Sequence, residues 1–212
     1  MEEHPIIYTV GHSNHPIDFF IELIQEYKVD CIIDVRSVAA SKYNPQFNKE
    51  DLKKSLAKVG IKYSHFEEEF GARQKDPDLL DEDGQVDFEK VRKFWLFKNG
   101  VEKLWKGVEH GLTMSLMCSE GEPLDCHRFS MIAIQLEKEG FDIKHIMKDK
   151  TLKSNADLEA QLLKKYEKKI PHPDIFNPDL TVDDQLKVAY HLKNKEIGFM
   201  PYSKNPYTED YD

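Results

Sequence analysis

Short hydrophobic runs recur along the first two thirds of the chain, and polar loops separate them. Apolar runs predict five strands, at residues 6–10, 31–36, 61–66, 112–118 and 141–147. Apolar residues at helical spacing predict intervening helices from about residue 16, at 48–60, at 87–109 with a break at Asn99-Gly100, and at 126–140. We therefore expect an α/β fold, a Rossmann-like open parallel sheet of about five strands with helices on both faces.

The last third of the chain has a different pattern and predicts a C-terminal helical extension. One helix is predicted at 155–168, a Pro-rich connector follows at 171–179, and Thr181 caps a last helix with Asp184 in capping-box position. The tail 201–212 is polar, and we expect it to be loosely ordered. The predicted organisation is an α/β domain at 1–150 followed by helices and a polar tail at 151–212.

The polar, Gly- and Asp-rich stretch 67–85 stands apart from the predicted elements. Connections between elements are mostly short, and longer ones often carry function. We expect this stretch to be a functional or mobile loop.

Composition narrows the class of protein. A chain of 212 residues with 40% hydrophobic and 33% charged residues suits one globular core, and no apolar run reaches the roughly 18 residues of a membrane span. The odd number of cysteines, three, argues against a secreted disulfide framework, and the start MEEHPIIYTV does not resemble a signal peptide. We expect a cytoplasmic protein without a membrane partner. The net charge of −9 argues against a general polyanion-binding surface.

The chain is organised around the strand, loop and helix at 112–136. The loop and helix start hold Cys118, Ser119, Glu120, Cys126, His127 and Arg128. Free backbone N–H groups and the helix dipole favour anions at such a helix start. This density of reactive side chains predicts the centre of a site.

Other polar residues follow the remaining predicted strands. They are His12, Ser13 and Asn14 after the first strand, Asp34 and Arg36 at the second, Ser64 and His65 at the third, and His145 at the fifth. Ligands of open parallel sheets bind outside the carboxyl ends of the strands. We expect these residues to converge with the 118–128 loop on one rim.

The same residues carry a family resemblance. The segments YTVGHSN, CIIDVRS, SKYNPQFNKEDLKKSLAKVGIKYSHF and LMCSEGEPLDCHR resemble the mostly bacterial family called domain of unknown function 488, over about residues 6–148. The resemblance implies an α/β fold and an unassigned activity. Its motif residues correspond here to Gly11, His12, Ser13, Asp34, Val35, Arg36, Ser41, Phe47, Tyr63, Cys118, Glu120, Cys126, His127 and Arg128. The chain departs from the family at 38–42, where a proline and an arginine are usual, and more mildly at 70–73, where a Gly-Gly turn is common.

Two arginines and two carboxylates suggest anion chemistry. Arg36 and Arg128 could hold a phosphate or carboxylate through guanidinium forks, or Arg36 could instead pair with a carboxylate and brace the rim. Asp34 and Glu120 are candidates for acid, base or nucleophile, with ion pairing to the arginines as the structural alternative. His12 and His127 would orient the ligand or donate protons.

The cysteines allow three interpretations. Cys126, at a helix start beside His127, could be a nucleophilic thiolate, whereas both Cys118 and Cys126 could be inert packing. Zinc could be held by Cys118, Cys126 and His127, with His12 as a further ligand. Side chains of adjacent Cys126 and His127 are expected to diverge on a helix, so no metal and no cofactor are assigned.

These observations favour a hydrolase or group transferase that binds a small anionic, phosphorylated or nucleotide-like ligand, because no dinucleotide fingerprint or Walker loop occurs. The candidate catalytic residues are Asp34, Glu120, His12, Cys118, Cys126 and His127, and the candidate ligand-binding residues are Gly11, Ser13, Asn14, Arg36, Ser41, Tyr63, Ser119 and Arg128.

Two alternatives remain open. A non-catalytic nucleic-acid or nucleotide-binding module would use Lys42, Lys62, Arg73 and Lys75 beside the aromatic residues Tyr43, Phe47 and Tyr63. A thiol redox or metal-binding protein would be built on Cys118 and Cys126. The sequence leaves the oligomeric state open.

Overall fold

A mostly parallel sheet forms the centre of the molecule. The computed structural model describes residues 4–202. The strands are β1 (Ile6–Gly11), β2 (Cys31–Asp34), β3 (Lys62–His65), β4 (Met114–Cys118), β5 (Asp142–Ile146) and β6 (Leu152–Ser154). Their order is β3-β2-β4-β1-β5-β6, with parallel pairing throughout except between β5 and β6. The predicted α/β fold is confirmed, with one short antiparallel strand added to the five expected.

Helices connect and cover the strands. They are α1 (Ile17–Gln25), α2 (Lys49–Lys58), α3 (Glu67–Phe70), α4 (Phe88–Lys93), α5 (Trp95–Glu109), a π-helix (Arg128–Ala133) that continues into α6 (Ile134–Lys138), α7 (Asn155–Lys165) and α8 (Val182–Ile197). Within the described residues, none of these helices is both long enough and apolar enough to cross a lipid bilayer.

The central strands β2 and β4 are buried on both faces. Successive side chains of a strand point to opposite sides, and apolar residues cover each side. Ile32 packs with Phe20 and Leu52 on the face covered by α1 and α2. Its neighbour Ile33 packs with residues of α5 and α6, among them Leu104. Two apolar layers therefore enclose β2 and β4, and the candidate site lies at the carboxyl ends of these strands.

The predicted helix at 87–109 is broken at Phe94 and not at Asn99-Gly100. Asp87 caps α4 by accepting from the amides of Glu89 and Lys90, and Phe94 then adopts extended backbone angles. Gly100 lies inside α5, where an added Cβ would come within 2.8 Å of the Phe70 ring. The glycine serves close packing between α5 and α3, which explains why it does not end the helix.

The stretch 67–85, expected to be a functional or mobile loop, packs onto the domain. It contains α3 and a short 3₁₀ turn at Pro77–Leu79, and its Leu80 forms a bridge with Val86, the residue after the stretch. Phe70 and Leu79 are buried in the core. The stretch is thus a folded element beside the sheet edge.

The C-terminal helices pack against the α/β domain. α7 and α8 enclose Phe129 together with Leu158 and Tyr190. Both helices begin with capping boxes, and the predicted one at Thr181 and Asp184 is confirmed. Because β6 at Leu152–Ser154 pairs with β5, the sheet continues beyond residue 150. Most of the predicted tail, from residue 203 onward, lies outside the described residues.

Candidate active site

The end of β1 holds the loop that follows β4. The amide of His12 donates to the carbonyl of Cys118 at 2.9 Å. A Cβ on Gly11 would lie 1.9 Å from the Glu120 carbonyl oxygen, so only glycine permits this approach. Gly11 therefore sets the position of the 119–121 loop through the backbone.

Ser13 extends this contact. Its amide donates to the Ser119 carbonyl at 2.9 Å, and its φ of 48° lies in the left-handed region. Its hydroxyl faces the exposed Asn14 side chain at 3.5 Å. The structure thus places Ser13 as a backbone support of the loop.

Arg128 fastens the same loop from the opposite side. Its Nη1 donates to the Glu120 carbonyl at 2.6 Å and its Nη2 to the Gly121 carbonyl at 2.9 Å. The side chain is fully buried, and its Nε has no hydrogen-bond partner. The sequence predicted that Arg128 and Arg36 hold an anion together. In the structure the guanidinium of Arg128 instead binds two loop carbonyls.

Asp34 and Arg36 form a buried pair. Nε and Nη2 of Arg36 donate to the two Asp34 oxygens at 2.8 and 2.6 Å, and the Tyr63 hydroxyl donates to Asp34 at 2.7 Å. Arg36 Nη2 also donates to the Phe47 carbonyl at 2.9 Å. Asp34 is completely buried. The Asp34 carboxylate thus orients Arg36. This ion pair is the structural role for Arg36 that the sequence analysis gave as the alternative to anion binding.

His12 completes this buried network. Its Nδ1–H donates to the Ser13 carbonyl at 2.7 Å, and its Nε2 accepts from Arg36 Nη1 at 3.2 Å. The ring stacks on Phe47 with centroids 4.2 Å apart. Burial, reinforced by the Arg36 charge, lowers the pKa of His12 to about 4. The imidazole is therefore neutral at physiological pH and acts as an acceptor for Arg36.

Four reactive side chains meet beside this network. They are Cys118, Glu120, Cys126 and His127, whose donor atoms all lie within 4.8 Å of one another; we call them the thiol cluster. Cys118 Sγ donates to Glu120 Oε2 at 2.9 Å. His127 Nδ1 lies 3.7 Å from Cys118 Sγ and 3.8 Å from Cys126 Sγ. The loop after β4 thus brings both cysteines, the glutamate and the histidine of the motif close together.

Cys126 and His127 converge, contrary to the expectation that they diverge on a helix. Cys126 precedes the helical turn and has extended angles, φ −129° and ψ 144°, whereas His127 is already helical. The change of backbone conformation between the two residues turns both side chains toward Cys118. The expectation was wrong because it placed Cys126 on the helix.

Burial and charge set the protonation of the cluster. Burial raises the pKa of the Cys118 thiol well above its ordinary value. Burial also opposes ionisation of Cys126, yet the neighbouring Cys118 thiol and the Arg128 charge bring the pKa of Cys126 well below its ordinary value. Although burial favours neutral His127, the adjacent Cys126 thiolate raises the pKa of this imidazole. The cluster therefore favours one thiolate and one thiol.

Glu120 forms the outer side of the cluster. The residue is exposed as a whole, while its carboxylate turns inward onto Cys118. Burial of that carboxylate, together with the nearby Cys126 charge, raises the pKa of Glu120. A raised pKa makes a carboxyl group better suited to act as a general acid.

A cavity of about 450 Å³ opens in front of the thiol cluster. Cys118, Glu120 and His127 line it, and Arg36 lines it from the segment that follows β2. Residues 197–200, at the end of α8 and directly after it, form part of its wall. The C-terminal extension, whose role the sequence left open, thus completes the cavity.

The other candidate residues lie in different surroundings. Ser119 lines the cavity, whereas Ser41 accepts from the amides of Tyr43 and Asn44 in a turn. His145, expected at the rim, is fully buried within β5 and bonds Thr9 at 2.8 Å. The rim prediction holds for β1, β2 and β4 and fails for this side chain of β5.

Several cavity residues escaped the sequence analysis. Ser37, Gln85 and Phe199 line the cavity. Arg73, considered only for nucleic-acid binding, also lines it, and its guanidinium lies 5.5 Å from the centre of the Phe199 ring. No local motif marks residues that meet only through packing of distant elements. Gln85 lay within the stretch flagged by its unusual length, which was the one available signal.

The fold and the site define an α/β protein with a Rossmann-like sheet and a polar cavity at the carboxyl ends of its strands. The model of the family described as Domain of unknown function DUF488 matches residues 16–134, more than half of the chain. The chain belongs to this family. The matched range includes Asp34, Arg36 and the whole thiol cluster, while Gly11 precedes it. No curated protein and no solved structure matches the chain.

Proposed function

We propose that the chain is an enzyme, a hydrolase or group transferase, that acts on a small phosphorylated or nucleotide-like ligand in the cavity. The observation that carries this proposal is the juxtaposition of the thiol cluster with a cavity of about 450 Å³. Ligand sites of proteins span about 300–1,000 Å³ and combine apolar walls with a few directed polar groups. The cavity therefore suits a molecule of nucleotide size.

Two arginine side chains that line the cavity support an anionic ligand. Arg36 is held in place by Asp34 and still lines the cavity, and the side chain of Arg73 lines it as well. A guanidinium oriented by buried partners presents its remaining N–H to an anion with little loss of conformational entropy. Asp34 and Tyr63 are accordingly positioning residues in this proposal.

Glu120 is the group proposed to exchange a proton with the reacting ligand. It lines the cavity and lies beside a sulfur atom of the cluster, whereas Asp34 has both oxygens engaged by internal donors. A positioned carboxyl group typically contributes about 10²–10⁴-fold to a rate. His127, which also lines the cavity, would help to orient the ligand there.

The nucleic-acid alternative has less support from side-chain placement. Phe47 is buried in the core, and the hydroxyl of half-buried Tyr63 is bonded to Asp34. Tyr43 is exposed over 82% of its surface. A stacking platform needs several exposed rings in a row, and only one of the three proposed rings is fully exposed.

Location in the cytoplasm remains part of the proposal. The three cysteines of the described chain are free. Unpaired thiols persist in reducing compartments, which supports a cytoplasmic location.

A ligand screen tests the proposed activity. The full chain is incubated with phosphate monoesters, sugar phosphates and nucleotides, and substrate and product are quantified by mass spectrometry. We expect one chemical class to be consumed catalytically. Binding that weakens steeply with salt, without consumption of any ligand, would contradict the enzyme proposal and favour the nucleic-acid-binding alternative.

A further inference from the structure

The thiol cluster has the donor spacing of a metal centre. A tetrahedral zinc ion with bonds of about 2.3 Å to sulfur and about 2.0–2.1 Å to nitrogen holds such donors roughly 3.6 Å apart. The His127 Nδ1 atom lies 3.7 Å from one cysteine sulfur and 3.8 Å from the other. Two edges of a zinc tetrahedron are thus already formed by side chains of the chain itself.

The histidine is oriented as a metal ligand. Its Nε2–H donates to the Val35 carbonyl at 3.0 Å, so the neutral ring directs the lone pair of Nδ1 toward the sulfurs. Metal-ligating histidines characteristically donate their other ring N–H to a carbonyl or carboxylate, which fixes the tautomer. Val35 belongs to the segment after β2, so a neighbouring strand holds this ring.

The sulfur of Cys126 also has an outer partner. The amide of Arg128 donates to Cys126 Sγ at 3.4 Å. Such a bond stabilises a thiolate, the form in which cysteine binds metals. Both cysteines are buried, at 3% and 1% exposure, so the sulfurs need little rearrangement or desolvation to bind an ion.

The donor types select the metal. Two sulfurs and one imidazole nitrogen suit zinc and other soft or borderline transition metals, whereas magnesium and calcium prefer oxygen. Three protein ligands with a fourth position open to a cavity are typical of catalytic zinc sites. Here two of the three donors, Cys118 and His127, line the cavity, as does Glu120.

We propose that Cys118, Cys126 and His127 bind one zinc ion whose fourth position faces the cavity beside Glu120. On binding, the Cys118 thiol loses its proton to solvent and exchanges its hydrogen bond to Glu120 for a bond to the metal. The binding site stands on the geometry of the cluster alone. A role of the ion as Lewis acid in turnover rests on the function proposed above.

Cobalt titration tests the site without reference to activity. The full chain is stripped with a chelator under reducing conditions, and cobalt is added as a spectroscopic substitute. We expect one cobalt ion per chain, with a thiolate-to-cobalt charge-transfer band and the visible bands of a tetrahedral site. Zinc should displace the cobalt ion and abolish these bands. A folded chain that binds no stoichiometric cobalt or zinc would overturn the proposal.

Variants assign the ligands. Cys118→Ser and Cys126→Ser each remove one thiolate and should weaken zinc binding by more than the roughly 10–100-fold that loss of an outer partner costs. Cys31→Ser is the matched control, because Cys31 is a buried cysteine on β2 outside the cluster. The assignment would be refuted if both cluster variants showed the same cobalt spectrum and the same metal affinity as the control.

A labelling experiment on the unaltered chain applies even where a variant fails to fold. Zinc should slow alkylation of Cys118 and Cys126, as followed by peptide mass spectrometry, and leave the rate at Cys31 unchanged. Equal alkylation with and without zinc, or a disulfide between Cys118 and Cys126 as the stable state under reducing conditions, would overturn the proposal. A zinc-loaded chain that consumes no ligand would count against the proposed activity and not against the metal site.

Discussion

Asp34 shows how a polar residue at a strand end can support a site without lining it. It pairs with Arg36 and accepts from Tyr63, and it is entirely buried. Removing one partner of a buried ion pair leaves a charge without compensation, at a cost of about 3–5 kcal/mol. The stability of this part of the molecule therefore depends on the pair remaining intact.

We predict that Asp34→Ala lowers the free energy of unfolding by about 3–5 kcal/mol, measured by urea denaturation. Asp18→Ala is the control, because Asp18 is an exposed residue in the first turn of α1 and its loss costs less than about 1 kcal/mol. A similar small loss in both variants would mean that the Asp34 pair adds nothing to stability.

His145 predicts a pH dependence of stability. It bonds Thr9 at 2.8 Å and Asn155 at 3.3 Å, and burial together with the Arg128 charge lowers its pKa to about 3. Between this value and the ordinary value of about 6.5, the unfolded chain binds one more proton than the folded chain. The stabilisation that neutral His145 provides is therefore fully present above about pH 6.5 and is lost as the pH falls toward 3.

His145→Gln removes this proton linkage. In the wild-type chain, His145 lowers the free energy of unfolding by up to about 1.4 kcal/mol for each pH unit below the pKa it has in the unfolded chain. We expect the free energy of unfolding of the variant to fall less steeply between about pH 6 and pH 4. His12, whose pKa is also lowered, should maintain part of the slope. Identical slopes for variant and wild type would show that His145 does not titrate in this way.

The partner of Arg36 could be foreseen from the sequence, whereas the partners of Arg128 could not. Pairing of Arg36 with a carboxylate was one of the two interpretations that the sequence allowed, and the structure shows the Asp34–Arg36 pair. Arg128 was expected to hold an anion, and the structure joins it to two loop carbonyls. Carbonyl acceptors are present at every residue, so no sequence pattern distinguishes an arginine that binds them.

At the scale of elements, the contact between β1 and the loop after β4 determines the site. Gly11 pairs with Cys118 at the end of these strands, and its Cα faces the Glu120 carbonyl. Any side chain at residue 11 displaces that loop. The glycine thus links the end of β1 to the geometry of the thiol cluster.

We predict that Gly11→Ala destabilises the chain by at least about 1–3 kcal/mol, the usual cost of overpacking, and weakens zinc binding at the cluster. Gly121→Ala is a matched control. Gly121 lies in the loop that Gly11 contacts, and a Cβ there would come no closer than 3.4 Å to the atoms of Ser13. Urea denaturation and metal titration measure the two effects. Equal behaviour of both alanine variants would contradict the close-approach explanation.

The elements themselves were predictable where the hydrophobic pattern was strong. The five parallel strands occur as expected, whereas β6 at Leu152–Ser154 was missed because three residues are too few to show alternation. The interruption of the helix at 87–109 was assigned to Gly100, since glycine is unfavourable inside helices. Packing against Phe70 outweighs that propensity.

At the scale of the whole molecule, the C-terminal extension and the 67–85 stretch complete the cavity together. Gln85 donates to the carbonyls of Gly198 at 2.8 Å and Lys195 at 3.2 Å. The Val86 amide donates to the Phe199 carbonyl at 2.9 Å. The cavity wall at 197–200 therefore depends on contacts more than a hundred positions apart, which local sequence patterns do not encode.

We predict that Gln85→Ala loosens this wall without unfolding the domain. Loss of two hydrogen bonds of about 1 kcal/mol each should speed amide hydrogen exchange in residues 197–200 selectively. Amides of β4 serve as the internal control. Unchanged exchange at 197–200 would show that other contacts hold the wall.

The most direct test of the account is the effect of Glu120→Gln on kcat/KM for the ligand class that the screen identifies. Glu122→Gln is the control, because Glu122 is an exposed glutamate in the same loop that does not line the cavity. We predict a loss of about 10²–10⁴-fold in the Glu120 variant and near wild-type turnover in the control. Full activity of a folded Glu120→Gln chain would contradict the assignment of Glu120 as the proton-transferring group.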